Sequence, residues 1–91
     1  MSRVSRTVEV TNARGLHARA SAKLVKAVQG FEAEVQVAKD GQAVDARSIM
    51  GLLMLGAGKG STVEISAEGP EAQRAIEAVA ALFEARFDED A

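Results

Sequence analysis

Cysteine is absent from the 91 residues, which excludes disulfides, thiolate metal sites and a thiol nucleophile. Tryptophan and tyrosine are absent as well, and three phenylalanines leave an aromatic share of 3%. Bases and sugars therefore have almost nothing to stack on. No basic run occurs anywhere, and the formal net charge of −2 goes with a pI near 5.4. That balance makes nucleic acid and anionic membrane poor partners. The opening Met1-Ser2-Arg3-Val4-Ser5-Arg6 has no apolar core of signal-peptide length. The most apolar run, Ile49 to Leu55, is far too short for a bilayer of roughly 30 Å. A soluble, cytoplasmic monomer is expected. With one histidine, no cysteine and no carboxylate cluster, neither a metal site nor a catalytic triad can be built, so no metal and no cofactor is expected.

What is present suits a small folded unit. The hydrophobic share is 47%, and a chain of this size buries roughly 60–65% of its unfolded surface, enough for a core without staples. Residues 1–91 show no linker, repeat or low-complexity stretch and read as a single domain. Val4, Val8 and Val10 alternate with Ser5, Thr7 and Glu9, a half-buried strand. Thr11-Asn12-Ala13-Arg14-Gly15 breaks that alternation with turn residues. Ala18, Ala22, Val25 and Val28 then recur at helical spacing until Gly30 stops them.

A second strand is expected to place Phe31, Ala33, Val35 and Val37 on one face. Asp40-Gly41 is a two-residue hairpin signal, so a third strand around Gln42 to Ala46 should pair antiparallel with it. Ser48 reads as the N-cap of a short helix ended by Gly56-Ala57-Gly58. Val63, Ile65 and Ala67 mark a fourth strand, with Thr62, Glu64 and Ser66 outward. Gly69-Pro70 opens the last helix, with Pro70 at its first position and Ala72, Ile76, Val79, Phe83 and Phe87 as its buried stripe. The tail Asp88-Glu89-Asp90-Ala91 should fray. The order is β-α-β-β-α-β-α, an α+β fold. One polar strand face implies a sheet covered on one side only, by the two long helices through split right-handed crossovers.

The stretch around which this order is arranged is Gly15-Leu16-His17-Ala18-Arg19, where the loop turns into a helix. His17 falls at or next to an N-cap, where several backbone N–H groups have no intrahelical partner. Free donors and the positive end of the helix dipole favour an anion there. They also disfavour imidazolium, which keeps a ring lone pair available. One ring nitrogen is expected to be held by a backbone group while the other faces solvent and a donor protein. A phosphoryl group on the ring would be met by the amides of Ala18 and Arg19 and by the Arg19 guanidinium.

Two other stretches bear on function. Gly56-Ala57-Gly58-Lys59-Gly60-Ser61 has neither the spacing nor the strand-to-helix setting of a P-loop, and reads as a flexible loop. Ile49, Met50, Leu52, Leu53, Met54 and Leu55 are too many apolar residues for two turns to bury, so part of this face should form an exposed docking patch. Its methionines would let it adapt to more than one partner. Ser48 is first of all a cap. Phosphorylated, it would add charge that obstructs a partner.

With these residues in place, the chain resembles HPr, the histidine-containing phosphocarrier of the bacterial phosphoenolpyruvate-dependent phosphotransferase system. Gly15-Leu16-His17-Ala18-Arg19 matches the active-site motif of that family, and Ser48-Ile49-Met50-Gly51 its regulatory-serine and docking-helix motif. The resemblance spans essentially the whole chain. It implies an open-faced β-sandwich, a four-stranded antiparallel sheet in order 1-4-2-3 beneath three helices. It implies that His17 takes a phosphoryl group on Nδ1 from phosphorylated enzyme I and passes it to an enzyme II A component, with Arg19 stabilising the transfer. Lys26, Ile49, Met50 and Leu53 would form the docking surface, and Ser48 would be the target of HPr kinase/phosphorylase where that enzyme exists. Ala20 departs from the pattern, because the family commonly has proline after the active-site arginine. Such a protein is a stoichiometric carrier, not a turnover enzyme. Two alternatives stay open: a nitrogen-related regulatory phosphorelay branch of the same family, and a regulatory docking module that carries no phosphate.

Overall fold

The computed structural model describes residues 3–89. Its elements are β1 (Arg3–Glu9), α1 (Ala18–Gln29), β2 (Glu34–Lys39), β3 (Gln42–Asp45), α2 (Ile49–Met54), β4 (Thr62–Glu68) and α3 (Ala72–Glu84), followed by a 3-10 turn at Arg86–Asp88. The sheet has the order β1-β4-β2-β3, with every pair antiparallel. Asp40 and Gly41 take φ of 52° and 84°. Two successive positive φ values are the signature of a type I′ turn, and they set Lys39 opposite Gln42. Among the described residues no helix is long and apolar enough to cross a membrane.

Val35, Val37, Val63, Ile65 and Ala67 point into the core, while Glu34, Gln36, Thr62 and Glu64 are exposed on the open face. Ser66, expected outward among them, is buried because Arg3 lies over it and donates to its hydroxyl at 2.9 Å. Helix α3 lies against β1, β4 and β2, and α1 packs on α3 and α2. Strand β2 starts at Glu34 and not at Phe31, although Phe31 and Ala33 still turn inward.

The helices differ from the sequence reading in three places. In α1 the buried residues are Ala20, Ser21, Leu24 and Val28, whereas Ala18 and Ala22 are exposed. Leu24 and Val28 bring far more apolar area than any alanine, so they set the rotation of the helix. Pro70 is not the first residue of α3. The helix starts at Ala72, because Glu71 is held outside it: its amide donates to the Glu32 carbonyl at 3.0 Å, and its carboxylate accepts from the Glu32 amide at 2.8 Å. Phe87 is fully buried as expected, but it lies beyond α3, where Arg86, Phe87 and Asp88 take φ of 55°, 53° and 62°. This left-handed turn sets the Phe87 ring edge-on to Phe83, with centroids 4.9 Å apart.

The 56–60 segment is a wall, not merely the loose end of a helix. Leu16 N–H donates to Ala57 O at 2.9 Å, and Gly60 N–H donates to Val10 O at 2.8 Å. The loop that leads to His17 is thereby pinned along this segment. Gly15 makes the approach possible: its φ is +64°, and a Cβ there would stand 2.3 Å from Ala57 O. Replacing Gly15 by Ala should lower the unfolding free energy by about 2 kcal/mol or more, through left-handed strain and the clash. Gly58→Ala, which meets open space, should stay within about 0.5 kcal/mol. Urea denaturation of the two variants checks this; equal losses would mean that the Gly15 contact does not govern stability.

Candidate functional site

The pinned loop delivers His17 to the first turn of α1 in an extended conformation, φ −79° and ψ −178°. Its carbonyl accepts from Ser21 N–H at 2.8 Å, and its ring Nδ1 accepts from Arg19 N–H at 3.2 Å. The ring is thus itself the N-cap. An amide only donates, so Nδ1 carries the lone pair, and the proton of the neutral ring is on Nε2. The Ala18 amide, the first of the helix, has no intrahelical acceptor by position.

The expectation that the other ring nitrogen faces solvent is overturned. Nε2 meets Glu89 Oε2 at 2.5 Å, and the two side chains are only 22% and 16% exposed. Glu89 Oε1 accepts from Asn12 Nδ2 at 3.1 Å, and the same amide nitrogen donates to Gly15 O at 2.8 Å. Lys23 donates to Phe87 O at 2.6 Å and lies 3.7 Å from Asp88. Residues 88 and 89 are therefore tied to the site and do not fray; Asp90 and Ala91 lie outside the described residues. The left-handed turn at 86–88 aims them there, a bend that a continued helix would not make.

Around the ring is an open cavity of about 360 Å³ lined by Ala13, Arg14, His17, Arg19, Lys23, Asp88 and Glu89. Sequence reasoning placed His17 and Arg19 here but missed Asn12, Arg14, Lys23 and Glu89. The available signal was Phe87: a buried aromatic at the far end of the last stripe ties down the residues just after it. Arg19 is exposed and forms no ion pair among the described residues. Ala20 is buried beneath the first turn, so its methyl group packs where the resemblance leads one to expect a proline ring.

The other candidate residues are not in this cavity. Ser48 caps α2, its Oγ accepting from Gly51 N–H at 3.0 Å. On that helix Leu52 is buried, as is Leu55 at its C-cap, while Ile49, Met50, Leu53 and Met54 are 39%, 68%, 38% and 70% exposed. Lys26 is exposed in the last turn of α1, which packs on α2.

The Glu89 carboxyl is held below its ordinary value of 4.5, chiefly by the His17 ring N–H and then by the Asn12 amide; partial burial opposes this, and the charges of His17 and Arg14 add to it. A depressed folded-state value means that the stability this group adds is fully present above pH 4.5 and is lost as the pH falls through the lowered value. Wild type should therefore lead Glu89→Gln in urea denaturation near neutrality, and the lead should shrink in acid below that point. Parallel stability–pH curves would show that the carboxylate is not held.

A family model described as "PTS HPr component phosphorylation site" matches residues 4–85. The chain is 48% identical over 88 residues to phosphocarrier protein NPr of Escherichia coli K12, covering 96% of this chain and 98% of that one. It is 46% identical over 86 residues to phosphocarrier protein HPr of Cupriavidus necator, covering 94% and 97%. A crystal structure of HPr-C-His from Thermoanaerobacter tengcongensis superposes with a TM-score of 0.90 at 41% identity over the whole of both chains. A sheet in order β1-β4-β2-β3 under three helices, a histidine-capped helix beside it and these likenesses agree: the chain belongs to the HPr family of phosphotransferase-system phosphocarriers.

Proposed function

We propose that the chain is a single carrier domain, cytoplasmic, that takes a phosphoryl group on His17 Nδ1 from phosphorylated enzyme I and passes it to an enzyme II A component. The observation that carries this reading is the ring at the N-cap, its Nδ1 lone pair directed at the Arg19 amide beside an open, partly cationic cavity. In the transfer, that lone pair forms a bond to phosphorus as the bond to the donor breaks in line with it. The amides of Ala18 and Arg19 then receive phosphoryl oxygens, and the unpaired Arg19 guanidinium spreads their charge. Onward transfer breaks the bond from Nδ1 to phosphorus and restores the free ring, so the protein acts as a stoichiometric relay.

The exposed Ile49, Met50, Leu53 and Met54, with Lys26 on the neighbouring helix, serve as the docking surface. Phosphate on Ser48, added by an HPr kinase/phosphorylase, would place a dianion at the edge of that surface and weaken docking. Likeness to a protein named NPr supports the nitrogen-related regulatory branch as the setting, and in that branch the acceptor would be a regulatory enzyme II A component. A docking module that carries no phosphate would leave the oriented Nδ1 lone pair, and an Arg19 guanidinium with no ion pair among the described residues, without use.

Incubation with phosphoenolpyruvate and enzyme I should give an acid-labile, base-stable phosphate on wild type that His17→Ala abolishes. No label on wild type would favour the docking module instead. Arg19→Ala should slow transfer about tenfold or more while changing stability by about 0.5 kcal/mol or less. A large loss of stability would make Arg19 structural. Ser48→Asp should slow transfer by weakening partner binding; unchanged kinetics would remove the switch role.

A further inference from the structure

The carrier reading needs a lone pair, amides and a cation, yet the tail also brings a carboxylate to the far side of the ring. From this geometry we infer that Glu89 is a positioning residue for His17: it holds the ring as the Nε2–H tautomer and pairs with the positive charge the ring acquires when Nδ1 takes the phosphoryl group. The inference rests on the carrier reading and assigns to the tail a part in it.

Three observations support it. First, the two ring nitrogens are addressed by opposite chemistry, a backbone donor at Nδ1 and a carboxylate at Nε2, so only one neutral tautomer satisfies both. Second, the carboxylate is itself held. Asn12, fully buried, gives one amide hydrogen to Glu89 Oε1 and the other to Gly15 O, so the core sets the orientation of the carboxylate. Third, the turn at 86–88 spends three left-handed residues to bring Glu89 back over the site, and Lys23 clamps its carbonyl at Phe87. In unrelated hydrolases, too, a carboxylate on one ring nitrogen fixes the tautomer and stabilises the cationic ring that forms when the other nitrogen reacts.

The electron count closes without moving a proton. As the donor bond to phosphorus breaks, its electron pair leaves with the donor, and the Nδ1 pair forms the new bond. The ring keeps its Nε2 hydrogen and becomes cationic. The charged groups then facing it are Arg14 from the loop, Arg19 and Lys23 from α1, and Asp88 and Glu89 from the tail. Lys23 is occupied by the tail, and among the described residues only Glu89 meets the ring directly. Keeping the ring protonated also keeps the phosphoryl group easy to release, because onward transfer returns the electron pair to Nδ1 and leaves a neutral ring.

The test uses full-length protein as wild type, Glu89→Gln and Glu89→Ala; Phe87, which anchors the tail in the core, is unchanged in all three. Nitrogen-15 shifts of the imidazole report which nitrogen carries the proton. Phosphoramidate, a small donor that needs no partner protein, reports intrinsic reactivity, and phosphorus-31 spectra tell Nδ1-linked from Nε2-linked phosphate. Wild type should be the Nε2–H tautomer and react at Nδ1. Glu89→Ala should share the proton between both nitrogens, yield some Nε2-linked phosphate and react more slowly by about tenfold or more, the worth of one charge-assisted hydrogen bond. Glu89→Gln keeps the bulk and should also react more slowly, still at Nδ1. If both variants keep the wild-type tautomer and rate within about twofold, Glu89 has no such role. Wild type that takes phosphate from neither phosphoramidate nor enzyme I would sink the carrier reading itself, a result distinct from phosphorylated wild type with indifferent variants.

Discussion

A histidine whose own ring caps a helix cannot change position without disturbing the start of that helix, and the rest of the site follows from this one bond. The bond from Arg19 N–H to Nδ1 fixes the ring plane and orients the lone pair at the start of α1. N-cap interactions are worth only about 1 kcal/mol. That small value suits a carrier, because on the proposed reaction the Arg19 amide exchanges one acceptor, the lone pair, for another, a phosphoryl oxygen. The helix start keeps a partner throughout, so the cap can be lent to the chemistry without unwinding the turn. The surrounding contacts serve to hold the ring there: the left-handed Gly15, the Ala57 carbonyl against it, and Asn12 bridging Gly15 and Glu89.

The tail obeys a closer balance. Three consecutive left-handed residues cost about 1–2 kcal/mol each. Burying Phe87 returns about 1.5–3 kcal/mol, and its edge-on contact with Phe83 about 0.5–1.5 kcal/mol. These amounts nearly cancel. The polar contacts made by Lys23, Asn12 and His17 therefore tip the turn toward its observed form. The dependence runs both ways: the tail shapes the ring's surroundings, and the ring helps to hold the tail. A change of charge at His17 is consequently felt at residues 86–89, more than sixty positions away in the chain.

Much of this architecture can be read from local signals. Asp40-Gly41 demands two positive φ values and receives them, Ser48 caps α2 through its hydroxyl, and His17 sits where the strand pattern ends and the helical one begins. The misreadings have a common cause, which is tertiary contact deciding between locally equal options. Alanines fit the exposed face of α1 as well as the buried one, so Leu24 and Val28 set its rotation. Pro70 suits a first helical turn, but the paired contacts of Glu71 with Glu32 move the start of α3 to Ala72. Glu89 belongs to an acidic stretch that looks solvated. Nothing short of the fold shows that a left-handed turn carries it to a histidine at the other end of the chain.

The scarcity of aromatic residues bears on how a carrier must dock. A relay between two proteins needs contacts that form quickly and release quickly, and affinity differences between related complexes are expressed mostly in the rate of release. Tryptophan and tyrosine are the residues that most often create tight anchors at interfaces, and this chain has neither. Its exposed apolar surface on α2 consists of Ile49, Met50, Leu53 and Met54, two of them unbranched and adaptable. Such a surface favours the small, transient class of interface. Because Leu52 on the same helix and Leu55 at its C-cap are locked in the core, the exposed four are presented from a fixed backbone and little order has to be gained on contact. On the carrier reading, weak anchors on a rigid helix and a pre-oriented ring at the start of α1 divide the work. The patch would bring partners together briefly, and the geometry at His17 would make that brief encounter sufficient.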